Sequence, residues 1–210
     1  MLIPAYIQDL INQGEGARLD FKQTVNNYSK IAKSIVSFAN THGGILLVGV
    51  RDNGTIGGVS PEEDKFVLQH AIEFYCRPQP NYHIVEWVAA GHTILECVIE
   101  EGQDKPYYAQ GADEKWWVHV RVHDKCLLAS KTTVDFMRQQ ASETPVEIEY
   151  GKVEQGILNL LQDREKITLK EACRKLNISY RRGSRTIVKL MSLGVIRSHT
   201  TEKEEYYTAT

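Results

Sequence analysis

The chain has 210 residues, 42% hydrophobic and 25% charged, with a formal net charge of −2. That composition excludes a disordered tail, a collagen-like fibre and a coiled-coil rod, and leaves room for one large domain or two small ones. No apolar run approaches the roughly 20 residues needed to cross a bilayer, so no membrane partner is expected.

The first residues carry neither a basic segment nor an apolar core of the kind a secretory leader needs. Cys76, Cys97, Cys126 and Cys173 are widely spaced, without a Cys-x-x-Cys pair. They read as free thiols of a soluble cytoplasmic protein, not as a disulfide framework or a zinc site.

The elements follow in chain order. Pro4–Gln13 is expected to be a short helix ended by Gly14, and Arg18–Lys22 a short alternating strand. Ser29 is the expected cap of a helix whose Ile31, Ile35, Val36 and Phe38 share one face. Glycines 43 and 44 should end it. Ile45–Val50 is a continuous apolar run suited to a strand covered on both faces, and Asp52-Asn53-Gly54 is a hairpin signal. Pro61–Tyr75 reads as a helix, and Tyr82–Val88 and His92–Ile99 as two strands. Trp117–His123 alternates, with valines on one face and His119, Arg121 and His123 on the other. Of the adjacent Trp116 and Trp117, one is expected in the core; the other covers a surface or stacks on a base. Two histidines on one strand face are a weak metal signal without a third ligand. Thr132–Gln140 closes this part as a helix.

An acidic stretch with a Pro and a Gly, residues 144–152, is the expected linker between a first domain, 1–143, and a second, 153–210. In the second, a helix over Lys152–Gln162 precedes one over Leu169–Leu176. There Thr168 and Glu171 have capping-box spacing. Asn177-Ile178-Ser179 is a turn, and a third helix runs to Leu193 before Gly194. Two strands, with Tyr206 and Tyr207 in the second, enclose a polar tip at 200–203. Helix, helix–turn–helix and terminal hairpin is the order of a winged helix-turn-helix domain. The fold class expected for the whole is α+β.

The near-zero net charge conceals an uneven distribution. From Arg164 to Arg197 the chain carries ten basic and two acidic side chains, a local charge of +8. Arg181, Arg182, Arg185 and Lys189 gather on the third helix of the second domain. In a helix–turn–helix, the start of that helix meets phosphates and base edges, which makes DNA the expected partner and structured RNA the alternative. Arg18, Lys22 and Arg121 are candidate additional phosphate contacts from the first domain.

That domain also presents carboxylates. Glu15 and Asp20 flank a Gly-containing turn, Lys22 shares the face of Asp20, and Asp52 follows the buried strand. If those segments are neighbours, Glu15, Asp20 and Asp52 could hold Mg²⁺ or Mn²⁺ for phosphodiester hydrolysis, with Lys22 as electrostatic helper. On the residues alone the plainer reading wins: Asp20 pairs with Lys22 or Arg18, and Asp52 is a turn residue.

The stretches Glu15-Gly-Ala-Arg-Leu-Asp-Phe-Lys22, Ile35–Gly54 (with Phe-Ala-Asn-Thr-His-Gly-Gly at its centre), Ile56-Gly-Gly58, Lys105-Pro-Tyr-Tyr108 and Val118–Val122 together resemble the Schlafen AlbA_2 domain family, over about residues 10–140. The resemblance implies an Alba-like mixed α/β fold associated with nucleic-acid binding, often followed in bacterial members by a winged helix. It also implies that Glu15, Asp20 and Asp52 occupy the positions of the catalytic carboxylates of ribonuclease members. Asp20 stands where Glu is usual, which shortens one ligand by a methylene. The Schlafen zinc site has no counterpart among the scattered cysteines. ATP, which some members are described as binding, is not expected, because no Gly-x-x-x-x-Gly-Lys-Ser/Thr loop is present.

The favoured expectation is therefore a DNA-binding transcriptional regulator, a homodimer that needs no cofactor for binding. The alternative is a divalent-metal-dependent nuclease, and a protein-interaction adaptor comes third.

Overall fold

The computed structural model describes residues 2–142 and 150–210, so most of the expected linker lies outside the described residues. The chain is a mixed α+β protein that divides into two compact units, Met1–Leu128 and Ala129–Thr210. The division falls before the helix at Thr132–Gln140, which therefore joins the second unit and not the first as expected.

In the N-terminal unit, α1 (Ala5–Gln13) leads into β1 (Leu19–Lys22), α2 (Tyr28–Ala39) and β2 (Gly44–Val48). β1 and β2 pair in parallel, with Asp20 opposite Leu46. The cap of α2 is Asn27, whose side chain accepts from the Lys30 amide at 2.9 Å, and not Ser29. Both asparagine and serine cap well, and sequence spacing alone did not separate two candidates two residues apart. The turn at Asp52–Gly54 forms, but it is no hairpin between neighbouring strands. It closes only an isolated bridge between Val50 and Ile56, because β2 lies between β1 and β5 (His92–Ile99).

α3 (Pro61–Tyr75) matches its expected limits. β4 (Tyr82–Ala89) completes the first sheet in the order β1-β2-β5-β4. Alternation assigns its two faces. Leu19, Phe21, Leu47 and Ile94 cluster with Ile7 of α1, while Leu46, Val48, Leu95 and Cys97 pack with Ile31, Ile35, Leu68 and Ile72 of α2 and α3. A strand covered on both faces must be apolar throughout, which is why Ile45–Val50 contains no polar side chain. α1 is also held by polar contacts: the buried Glu96 carboxylate accepts from Tyr6 Oη at 2.5 Å and Trp87 Nε1 at 2.7 Å.

A second sheet has the order β3-β6-β7-β8, from β3 (Cys76–Arg77), β6 (Tyr108–Gln110), β7 (Trp116–Val122) and β8 (Lys125–Leu128). β3, β6 and β8 were not anticipated, being two to four residues long. α2 packs against β6 and β7. Buried Asn40 fastens this contact, accepting from the Tyr107 amide at 2.8 Å and donating to the Tyr107 and His119 carbonyls at 2.8 and 2.9 Å. Nearby, Lys105 Nζ donates to the Thr41 carbonyl at 2.9 Å. The Asn-Thr and Lys-Pro-Tyr-Tyr motifs are thus the two halves of one joint, satisfying backbone groups that would otherwise be buried without partners.

The C-terminal unit contains α4 (Lys131–Ala141), α5 (Lys152–Asp163), α6 (Leu169–Leu176), α7 (Tyr180–Ser192) and the antiparallel hairpin β9 (Ile196–Thr200) and β10 (Glu205–Ala209). Ile157, Leu161, Ala172, Ile187, Leu190 and Tyr207 form its core. The Thr168–Glu171 capping box is present, and Asn177 ends α6 in the left-handed conformation with φ 50°. Ile167, just before α6, pairs with Tyr207 through two backbone hydrogen bonds of 3.0 and 2.8 Å. α4 packs along α7, where Thr132 Oγ1 and Ser184 Oγ lie 3.1 Å apart. The Glu205 carboxylate of β10 accepts from Thr133 Oγ1 at 2.5 Å and from Tyr207 Oη at 2.8 Å.

No described helix is long and apolar enough to cross a membrane. All four cysteines are free, and burial pushes the Cys97 thiol up to about 12.

Candidate functional site

α6 and α7 meet at close range because α7 carries a glycine at the contact. A Cβ on Gly183 would lie 2.6 Å from Cys173 Sγ and 3.0 Å from Leu169 Cδ1. Ser179 caps α7 by accepting from the Arg182 amide at 3.3 Å. Ile187, Leu190 and Met191 point inward, as expected, and Leu193 is half-buried. The opposite face carries Arg181, Arg182 and Arg185, all exposed, within little more than one helical turn.

None of these three guanidinium groups makes a hydrogen bond or ion pair among the described residues. Their position opposes the helix dipole, which favours anions at the first turn and cations at the last. Three cations at the start of α7 therefore lower the stability of the helix while leaving their donors free. Lys189 departs from the expectation: it is half-buried and lies 3.6 Å from Glu154 of α5, so part of its charge is met within the unit.

Beside this face, α4 and the start of α7 border an open cleft of about 640 Å³ lined by Lys131, Tyr180, Arg181, Ser184 and Arg185. Asp135 is the acidic group of its lining, and its carboxylate pairs with Lys131 at 2.8 Å and Arg138 at 3.6 Å on its own helix. In the hairpin, His199 stacks on Tyr206 with ring centroids 4.9 Å apart, and Lys166 Nζ lies over the same Tyr206 ring.

In the N-terminal unit, Asp20 is buried between two cations. Its Oδ2 lies 2.7 Å from Lys22 Nζ and its Oδ1 lies 3.1 Å from an Arg121 nitrogen, while Ser34 Oγ donates to Oδ2 at 3.3 Å. Burial works to raise the Asp20 pKa, but Lys22 and Arg121 outweigh it and hold the carboxyl below the usual carboxylate range. Glu15 accepts from the Phe21 amide at 2.8 Å, and its pKa is raised by burial and by the neighbouring Asp20. Glu15, Asp20 and Lys22 are therefore brought together. Asp52 is not: it is exposed in its turn, with no ion pair to Lys22 among the described residues.

Two expectations need correction here. Arg121 is no phosphate contact. It is buried, its guanidinium donates to the carbonyls of Gly16 and Leu19 and to Asp20, and it lies over the Phe38 ring. The valine-against-charge alternation of β7 did not reveal that α2 covers the second face. The three-carboxylate metal site also does not fit: Lys22 sits where a cation beside Asp20 would be, and no group of three or more His, Cys, Asp and Glu among the described residues could hold a metal ion. Arg18 is exposed. Lys22 is half-buried and turned inward, donating also to the Phe21 carbonyl at 2.8 Å.

The sequence reading passed over one group of residues. Lys30 and Lys33, one turn apart on α2, lie beside Trp117 and His119 of β7 in a separate cleft. The i, i+3 lysine spacing was visible; its proximity to the tryptophan depends on the α2–β7 packing.

A family model described as Schlafen, AlbA_2 matches residues 15–130. No curated protein matches the chain. Among solved structures, the DIP2311 protein from Corynebacterium diphtheriae is similar at 21% identity and a TM-score of 0.47. That match covers 68% of this chain and 34% of the other, so the chain spans about a third of that protein's length. The N-terminal domain of a Nitrosomonas europaea protein, described as related to the ATP-dependent DNA helicase RecG, is similar at 22% identity and a TM-score of 0.41. Here 50% of this chain and 81% of that one are covered.

Proposed function

The chain belongs to the Schlafen AlbA_2 family, and from that premise we propose that it is a nucleic-acid-binding protein whose C-terminal unit is a winged helix-turn-helix reading duplex DNA. One observation carries the reading: Arg181, Arg182 and Arg185 stand exposed and unpaired at the start of α7, directly after the α6–α7 turn. Free guanidinium groups are suited to bidentate contact with phosphates and with guanine edges. The pairing of Ile167 with the terminal hairpin supports a wing.

A transcriptional regulator is the role such a module fits, acting inside the cell and without a cofactor. Homodimerisation is part of the proposal because a single module buries a modest area on DNA and a second copy extends the footprint. Arg18 is the candidate phosphate contact retained from the N-terminal unit.

Reversal of Arg181, Arg182 and Arg185 to Glu abolishes the retardation of duplex DNA in a gel-shift assay at low salt. Unchanged affinity would show that α7 is not the reading element. The nuclease alternative finds less support, since Glu15 and Asp20 converge but Asp52 does not join them. Incubation of labelled structured RNA and duplex DNA with Mn²⁺ separates the two: cleavage that Asp52→Ala removes would favour the nuclease.

A further inference from the structure

We propose that the cleft between the start of α2 and the β6–β7 end of the second sheet binds a single unpaired nucleotide, its base stacked on Trp117 and its phosphate held by Lys30 and Lys33. The site lies wholly within the N-terminal unit and does not depend on the reading of α7.

The cleft has a volume of about 260 Å³ and is lined by Asn27, Lys30, Lys33, Gln110, Trp117 and His119, with others. This is slightly below the size range of drug-sized pockets, ~300–1,000 Å³, and suits one small flat group with an attached anion. Lys30 is exposed and Lys33 half-buried, and neither makes an ion pair among the described residues. Two ammonium groups without a carboxylate partner give this wall of the cleft its positive charge.

The opposite wall supplies the flat surface. Adjacent strand residues point to opposite faces, so Trp116 and Trp117 cannot share a role. Trp116 is half-buried with Arg77 over its ring at 5.0 Å, whereas Trp117 is 38% exposed, a large value for a tryptophan. Its ring is nevertheless fixed. Nε1 donates to Asp113 Oδ1 at 3.1 Å, and the glycine at 111 permits the chain to pass against the indole edge, where a Cβ would lie 3.1 Å from Cδ1. A held, exposed indole face is a stacking platform whose ordering cost is already met.

His119 adds a neutral ring to the same cleft. Burial and the charge of Lys33 hold its pKa down to about 4, against a smaller raising contact with the Trp117 backbone. The positive charge of the site therefore rests on the two lysines, and the aromatic surface on Trp117 and His119. A stacked base with one phosphate has the matching chemistry. It can come from a free mononucleotide or from an unpaired nucleotide of a strand, and the test distinguishes them.

Isothermal titration calorimetry of the full chain with 5′-AMP, with a single-stranded octathymidylate and with inorganic phosphate reads the site. Saturable binding of the octamer is expected, weakened about 5- to 150-fold by Trp117→Ala, the range that loss of one stacked base gives. The double variant Lys30→Ala, Lys33→Ala should reduce the slope of log K against log salt by roughly 0.7, as for one phosphate contact on a single strand. Both variants should keep the wild-type melting temperature and the duplex gel shift. If Trp117→Ala unfolds, the lysine variant carries the test alone. Binding of 5′-AMP with no binding of the octamer assigns the site to a free nucleotide. Inorganic phosphate binding as tightly as 5′-AMP would overturn the stacking, and binding unchanged in both variants, or none to any of the three ligands, would overturn the site. Loss of duplex binding in the Arg181, Arg182, Arg185 variant with octamer binding retained separates this site from the α7 reading.

Discussion

Arg121 and Asp20 meet 3.1 Å apart inside the N-terminal unit, guanidinium to carboxylate, with side chains 1% and 5% exposed. The pair ties β7 to β1, and Arg121 also ties it to the Gly16 and Leu19 carbonyls. Removing Arg121 leaves Asp20 with Lys22 and Ser34 but takes a donor from the Gly16 and Leu19 carbonyls as well as from Asp20, and each buried group left without a partner costs about 1–3 kcal/mol. Arg121→Ala should therefore lower the urea midpoint steeply. If it instead left stability unchanged and weakened nucleic-acid binding, Arg121 would be a phosphate contact after all.

Glu15 and Asp20 respond to pH in opposite senses. The folded-state pKa of Asp20 is depressed, so its contribution to stability is present above the unfolded value of about 3.9 and is lost as pH falls through the folded value. That of Glu15 is raised by burial and by Asp20, so folding favours its protonated form and its ionisation at neutral pH opposes folding. Glu15→Gln retains an oxygen for the Phe21 amide and removes the charge. Its melting temperature should exceed that of the wild type at pH 7, and the difference should disappear near pH 4. An equal difference at both values would mean that the half-buried charge of Glu15 is not its source.

These two residues mark how far the sequence could be read. Helices α3, α6 and α7, the long strands and the left-handed end at Asn177 follow from local signals: apolar period, caps and turn residues. β3 and β6 do not, because two- and three-residue strands have no period of their own and are defined by their neighbours. The free arginines of α7 were legible because an exposed helix face needs only helical spacing to be drawn. The burial of Arg121 was not, since its second face is closed by α2, a contact between residues about 80 positions apart. Asp52 failed to join Glu15 and Asp20 for a related reason. Motif order along the chain places it after β2, but the turn carries its side chain out to solvent.

His119 gives a titration with a defined window. Its pKa falls from the ordinary 6.5 to about 4 through burial first and the nearby Lys33 charge second. The unfolded chain takes up this proton below about pH 6.5 and the folded chain does not, so the neutral imidazole contributes less and less as pH drops from 6.5 to about 4. His119→Asn should flatten that part of the wild-type stability curve, followed as melting temperature against pH. An imidazole resonance titrating near 6.5 by NMR would show that the ring is not held neutral.

Gly183 tests the contact that positions the arginines. Alanine would gain about 1 kcal/mol of helix propensity over glycine in the interior of α7, but its Cβ would meet Cys173 Sγ at 2.6 Å and Leu169 Cδ1 at 3.0 Å. Overpacking of that kind costs about 1–3 kcal/mol, and the neighbours belong to α6, whose core position is fixed by buried Leu169 and Ala172. The helices must therefore separate or rotate. Gly183→Ala should lower the melting temperature and also weaken duplex DNA binding, although it removes no charge. The companion Cys173→Ala removes the closest obstructing atom and should recover part of both losses in the double variant. A Gly183→Ala protein that melts higher than the wild type and binds DNA as well would show that α6 and α7 have room to spare at their crossing.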